Sequence, residues 1–177
     1  MTQIRAFRPY VVAPQHAIAV VSPAYDSMSP AQRRIFCETH PKNYINTMQV
    51  TDDFPTGERP TEAKVLEANV QQLQVMLENG SYRNSDTDAV FIYQLSIDGH
   101  TQTGVVAEIP VGEYENGSIR RHEETRKEHE ERLSRYLDIV GASSSPICLA
   151  YAGSAQIDAI VESVTQGDPV LDFVLPD

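Results

Sequence analysis

Two strand-like segments meet at Asp98-Gly99, and this junction limits the fold more than any other local feature. An Asp-Gly pair tolerates positive φ at both central positions of a two-residue turn, so it closes a tight antiparallel hairpin. The pattern predicts one strand over 89–97 and a return strand over 100–109. Helical patterns lie on both sides of it in the sequence. The expected class is therefore α+β, with a mixed sheet, a central β-hairpin and three to four helices in a single domain over 1–177.

The helices announce themselves by their ends and their faces. Ser29 can cap a helix, Pro30 suits its first position and Gln32 completes a capping box, so a short helix runs to about Thr39 and stops before Pro41. Leu66, Val70, Leu73 and Leu77 share one face of a helix over 61–79, which Asn79-Gly80 terminates. A highly charged helix is expected over 122–137, with acids in its first turn, where the dipole favours them, and Leu133, Tyr136, Leu137 and Val140 as its buried stripe. The last helix spans 155–165, using Ile157, Ile160, Val161 and Val164.

Between these elements, 11–13 and 17–21 read as short extended segments and 22–26 as a proline-braced loop. Residues 46–60 read as a mobile polar loop, and 113–117 as a second turn. Residues 147–151 read as a buried strand and 170–174 as a final strand.

Charge narrows the partners. The chain carries 14 Lys plus Arg against 25 Asp plus Glu, a net charge of −11, so it has no overall field that attracts DNA or RNA phosphates. Two cysteines are too few for a disulfide scaffold or a four-thiolate zinc site. No apolar run approaches the ~18 residues of a membrane span, and the opening residues lack a signal-peptide apolar stretch. The expected location is the cytoplasm.

Two segments hold residues suited to chemistry. His122-Glu123-Glu124-Thr125-Arg126 follows the zinc-protease pattern until its last position, where Arg126 replaces the second histidine. His129 lies seven residues from His122, about 10 Å along a helix axis, too far to share one ion. No metal site is expected. A helix start flanked by Arg120, Arg121 and Arg126 instead suits a phosphate or carboxylate, with His122 or Glu123 handling a proton. The plain alternative is a solvated charged helix.

The second segment is Ser22-Pro23-Ala24-Tyr25-Asp26, where Asp26 can accept a hydrogen bond from a substrate amine or hydroxyl. The alternative is a turn in which Asp26 caps local amides and Tyr25 packs. Neither Cys37 nor Cys148 has a matched base, and the common glycine-rich nucleotide loops are missing.

Taken in order, several motifs resemble the N-terminal part of the DUF1015 family, a bacterial and archaeal group often labelled ParB-like. Ile4-Arg5-Ala6-Phe7 resembles its I-x-P-F opening, and Val21-Ser22-Pro23-Ala24-Tyr25-Asp26 its A-P-P-Y-D loop before a Ser-Pro helix start. Tyr93-Gln94 and Thr103-Gly104-Val105 resemble its strand pair. Arg121 to Arg126 resembles H-E-x-T-R, and Ser144-Ser145-Pro146-Ile147 the strand after it. Gln32 stands near a usual Glu, and an amide cannot act as a carboxylate base.

The resemblance implies a nucleotide- or phosphate-ligand-binding domain, since some ParB-related proteins phosphorylate free serine. Arg121, Thr125 and Arg126 would hold the phosphates of ATP or ADP with Mg²⁺. His122 or Glu123 would orient the proton or the metal, and Tyr25 and Asp26 would contact the acceptor, so both segments should share one cleft. The alternative is a non-enzymatic regulatory or assembly module, self-associating through an exposed helix over 122–135. DNA binding, which the family label suggests, is opposed by the net charge.

Overall fold

The computed structural model describes residues 2–121, 124–144 and 146–175. Its elements, in chain order, are β1 (Tyr10–Val12), α1 (Ala17–Val20), α2 (Pro30–Thr39), α3 (Glu62–Glu78), β2 (Tyr82–Asn84), β3 (Phe91–Ile97), β4 (His100–Val106), α4 (Val111–Glu115), α5 (Lys127–Val140) and α6 (Ala155–Thr165). The α+β class holds. The strands pair as two two-stranded sheets, β1 with β2 and β3 with β4.

The chain divides into two compact units that interleave in sequence. The hairpin unit comprises Met1–Pro9, Asn84–Glu124 and Ser144–Asp172, and the helical unit Tyr10–Arg83, Thr125–Ser143 and Phe173–Asp177.

In the hairpin unit, Asp98 and Gly99 adopt φ of 48° and 77°, as the turn requires. The register runs from Phe91 opposite Val106 to Ile97 opposite His100. The first residues add bridges to this ladder, Phe7 to Ala89 and Arg5 to Glu108. The Phe7 ring meets that of Phe91 edge-on at 6.0 Å, and α6 packs on β3.

In the helical unit, Val20, Tyr44, Leu66, Leu73, Met76 and Val140 form the core, with Val12, Val70, Leu77 and Tyr136 packed around it. Ser29 caps α2 in a full capping box with Gln32, as its sequence predicts. The α3 face also matches, with Leu66 and Leu73 buried and Val70 and Leu77 half-buried.

Several expectations fail. Residues 17–20 form α1 rather than an extended segment, because the turn begun at Pro14 continues and buries Ala17 and Val20, three apart. The segment over 46–60 is a loop, as expected, but it is held at two points: Thr47, fully buried, donates to the Tyr44 carbonyl, and Thr51–Asp53 forms a 3-10 turn that buries Asp53. Among the described residues, neither 147–151 nor 170–174 forms a strand. Ile147 is 87% exposed and Val170 68%, for no strand pairs with either segment to form a covered sheet.

The charged helix starts later than expected. Arg126 is its N-cap, with extended backbone, and α5 runs on to Val140, where Gly141 closes it in the left-handed region. Val140 is buried, Tyr136 is half-buried, and Leu133 and Leu137 are exposed. On α6, Ile157 and Val161 are half-buried while Ile160 and Val164 are exposed.

Candidate functional site

The best-ordered polar centre lies in the helical unit, built on Arg33. The guanidinium sits on the inward face of α2, one turn before the buried Cys37. Its Nε donates to Asp53 Oδ1 at 2.7 Å, and both residues are buried. Another nitrogen donates to the Met28 carbonyl at 2.7 Å and reaches the Tyr25 carbonyl at 3.4 Å. Asp53 closes the short 3-10 turn Thr51–Asp53, and its other oxygen accepts from the Val50 amide at 2.9 Å. A charge pair this deep survives because each partner keeps further hydrogen bonds.

This pair holds Tyr25. The Arg33 guanidinium lies 4.1 Å from the centre of the Tyr25 ring, a cation–π contact. The Tyr25 hydroxyl donates to Asp53 at 3.5 Å, the limit of a hydrogen bond. Burial, helped by the Asp53 charge, pushes the phenol up to about 12, while Arg33 and Arg132 pull the other way. The 22–26 loop is thus braced from behind by a buried ion pair as well as by proline. Asp26, next in sequence, is exposed.

Arg132 brings α5 into electrostatic reach of this corner. It forms no ion pair with a described carboxylate. It lies six residues after Arg126, about 9 Å along the axis. Arg132 also lines a cavity of about 60 Å³ with Thr51, Asp52, Glu62, Leu66 and Tyr136. Asp52 pairs with Arg59 at 3.2 Å and Glu62 with Arg135 at 3.6 Å. The Tyr136 hydroxyl is buried, and burial raises its pKa, as it does for the Cys37 thiol.

The expected site residues are divided between the two units. Tyr25, Asp26, Thr125 and Arg126 belong to the helical unit, and Arg121 to the hairpin unit. The Arg121 guanidinium lies over the Tyr114 ring at 5.7 Å. His122 and Glu123 lie outside the described residues. The expected helical first turn at 124–126 is not helical, so Thr125 and Arg126 precede α5 rather than sit within it.

Sequence reasoning missed Arg33, Asp53 and Arg132. Arg33 carried one usable signal, its place four residues before Cys37 on a helix with few apolar residues to bury. Asp53 carried none, since an Asp-Asp pair between prolines reads as a solvated loop.

A buried Arg-Asp pair under a tyrosine, beside a small mixed-charge cavity, defines an α+β protein with a pre-shaped polar pocket. Residues 4–177 match the family model described as "Protein of unknown function (DUF1015)", and the chain belongs to that family. No curated protein and no solved structure matches it.

Proposed function

We propose that the chain is a nucleotide- or phosphate-ligand-binding domain of ParB-like type, acting in the cytoplasm as a kinase for the hydroxyl of a small amino-acid-like acceptor. What supports this reading is the start of α5. The Arg126 side chain makes no cap, no other described side chain is seen to accept from the first-turn amides, and Thr125 and Arg126 flank them. Such an end attracts phosphate oxygens. The first turn also holds Glu128 and Glu130, which disfavour a bare phosphate and favour one delivered with Mg²⁺. In this reading the Mg²⁺ arrives on the nucleotide's own oxygens, where His122 or Glu123 would orient it.

In this reading Arg121, Thr125 and Arg126 hold the nucleotide phosphates. The acceptor oxygen attacks the terminal phosphorus, the bond to the bridging oxygen breaks and ADP leaves. The hydroxyl proton passes to His122, Glu123 or Asp26. Such transfer depends on positioning and charge stabilisation more than on covalent catalysis. Titration calorimetry with ATP, ADP and CTP plus Mg²⁺, repeated on Arg126→Ala, tests it. A nucleotide-dependent heat that Arg126→Ala weakens about tenfold or more is expected; no heat with any nucleotide rejects the reading.

A second reading has its own observation. Leu133, Leu137 and Ile139 are exposed on α5, 55%, 38% and 50% respectively, which suits an assembly helix in a non-enzymatic module. Light scattering that finds a dimer without ligand, lost in Leu133→Glu, would favour it.

A further inference from the structure

We infer that the cavity between α3, α5 and the 3-10 turn Thr51–Asp53 binds a small α-amino acid. The inference rests on the kinase reading only for the chemistry after binding, because recognition by the cavity needs no nucleotide. Size comes first. A cavity of about 60 Å³ accommodates roughly four to six non-hydrogen atoms, close to alanine or serine. A nucleotide is several times larger and cannot enter.

Charge then selects the chemistry. Val65 and Leu66, 3% and 8% exposed, form an apolar wall that suits a short side chain and repels none of its atoms. Arg132 is the lining cation, and without a described carboxylate partner it suits a ligand carboxylate, which a guanidinium can grip through two parallel hydrogen bonds. Asp52 and Glu62 supply the opposite sign on the same lining. Each gives one oxygen to an arginine, and a carboxylate accepts several hydrogen bonds, so both retain capacity for an ammonium group. Arg132 and the spare oxygens of two arginine-paired acids, set around a small apolar wall, complement a zwitterion. A ligand of one sign only would leave either Arg132 or those spare oxygens unused. Thr51 adds a hydroxyl beside them.

The test is calorimetry on the full chain without nucleotide, using L-alanine and L-serine. Propionate and ethylamine serve as half-ligands, and inorganic phosphate as an anion control. Alanine or serine should bind, each half-ligand at least about tenfold more weakly. Arg132→Gln and Glu62→Gln, both at exposed positions, should each weaken alanine about tenfold to a hundredfold while leaving the melting temperature near wild type. No binding of either amino acid overturns the inference, and so does propionate or phosphate binding as tightly as alanine. Unchanged affinity in Arg132→Gln overturns it as well. Amino-acid binding together with silence toward every nucleotide would reject the kinase reading alone; nucleotide binding without amino-acid binding would reject the pocket alone.

Discussion

In the helical unit, Ile45, Val65 and Met76 are 1–3% exposed, and the same unit holds the buried Arg33–Asp53 pair and the hydrogen-bonded side chains of Asn43 and Thr47. In the hairpin unit, Ile97 is 69% exposed, Ile160 62% and Val170 68%. Every buried apolar residue among the described ones belongs to the helical unit. The two units are thus held by different means. Helices that present apolar faces to one another remove side chains from water and form a core. A two-stranded hairpin satisfies its backbone but has one or both faces uncovered, and two strands alone are marginal in water. The buried Arg33–Asp53 pair sits in the unit that has a core around it.

The sharpest break of this contrast comes from its ion pairs. Asp53→Ala leaves Arg33 buried without its partner and should cost about 3–5 kcal/mol in urea unfolding. Asp88→Ala removes the exposed Arg8–Asp88 pair of the hairpin unit, 60–64% exposed, and should cost no more than about 1 kcal/mol. Equal costs would erase the distinction.

Core truncation should follow the same order at slightly lower magnitude. Met76→Ala opens a cavity beneath α3 and should cost about 2–5 kcal/mol. Ile160→Ala, on the exposed face of α6, should stay within about 0.5 kcal/mol.

A smaller effect belongs to the turn. Gly99 sits at φ 77°, where a Cβ meets no neighbouring atom but the backbone is strained. Gly99→Ala should therefore cost about 1–2 kcal/mol, seen as faster amide exchange along β3 and β4 with α3 unchanged.

A further effect appears at alkaline pH. The folded state holds the Tyr25 proton up to about 12, whereas an unfolded phenol loses it near 10.0. Above pH 10 the native state therefore binds more protons than the unfolded one, and stability falls as pH rises toward 12. Tyr82 and Tyr136, also raised by burial, push in the same direction. Melting temperature against pH should decline from about pH 10, and Tyr25→Phe should flatten part of that decline.

Much of the local structure was legible because its causes are local. The Asp98-Gly99 turn, the Ser29–Gln32 capping box and the α3 stripe each depend on residues a few positions apart. The start of α5 was misread because an acidic, arginine-flanked stretch satisfies dipole rules at 122 as well as at 127. The strands expected at 147–151 and 170–174 failed for a different reason: an apolar run becomes a strand only when it pairs with another edge, and among the described residues neither segment does.

The site divides along the same line. Sequence alone located the proline-braced Tyr25-Asp26 corner and the charged helix, since both are continuous segments with turn and charge signals. Only the tertiary structure decided that Arg33 lies under Tyr25, that Asp53 folds in to neutralise it, and that on the charged helix it is Arg132 whose charge adds to that of Arg33 at Tyr25. Burial of a charge depends on what surrounds it from distant parts of the chain, and no spacing along one segment encodes that environment.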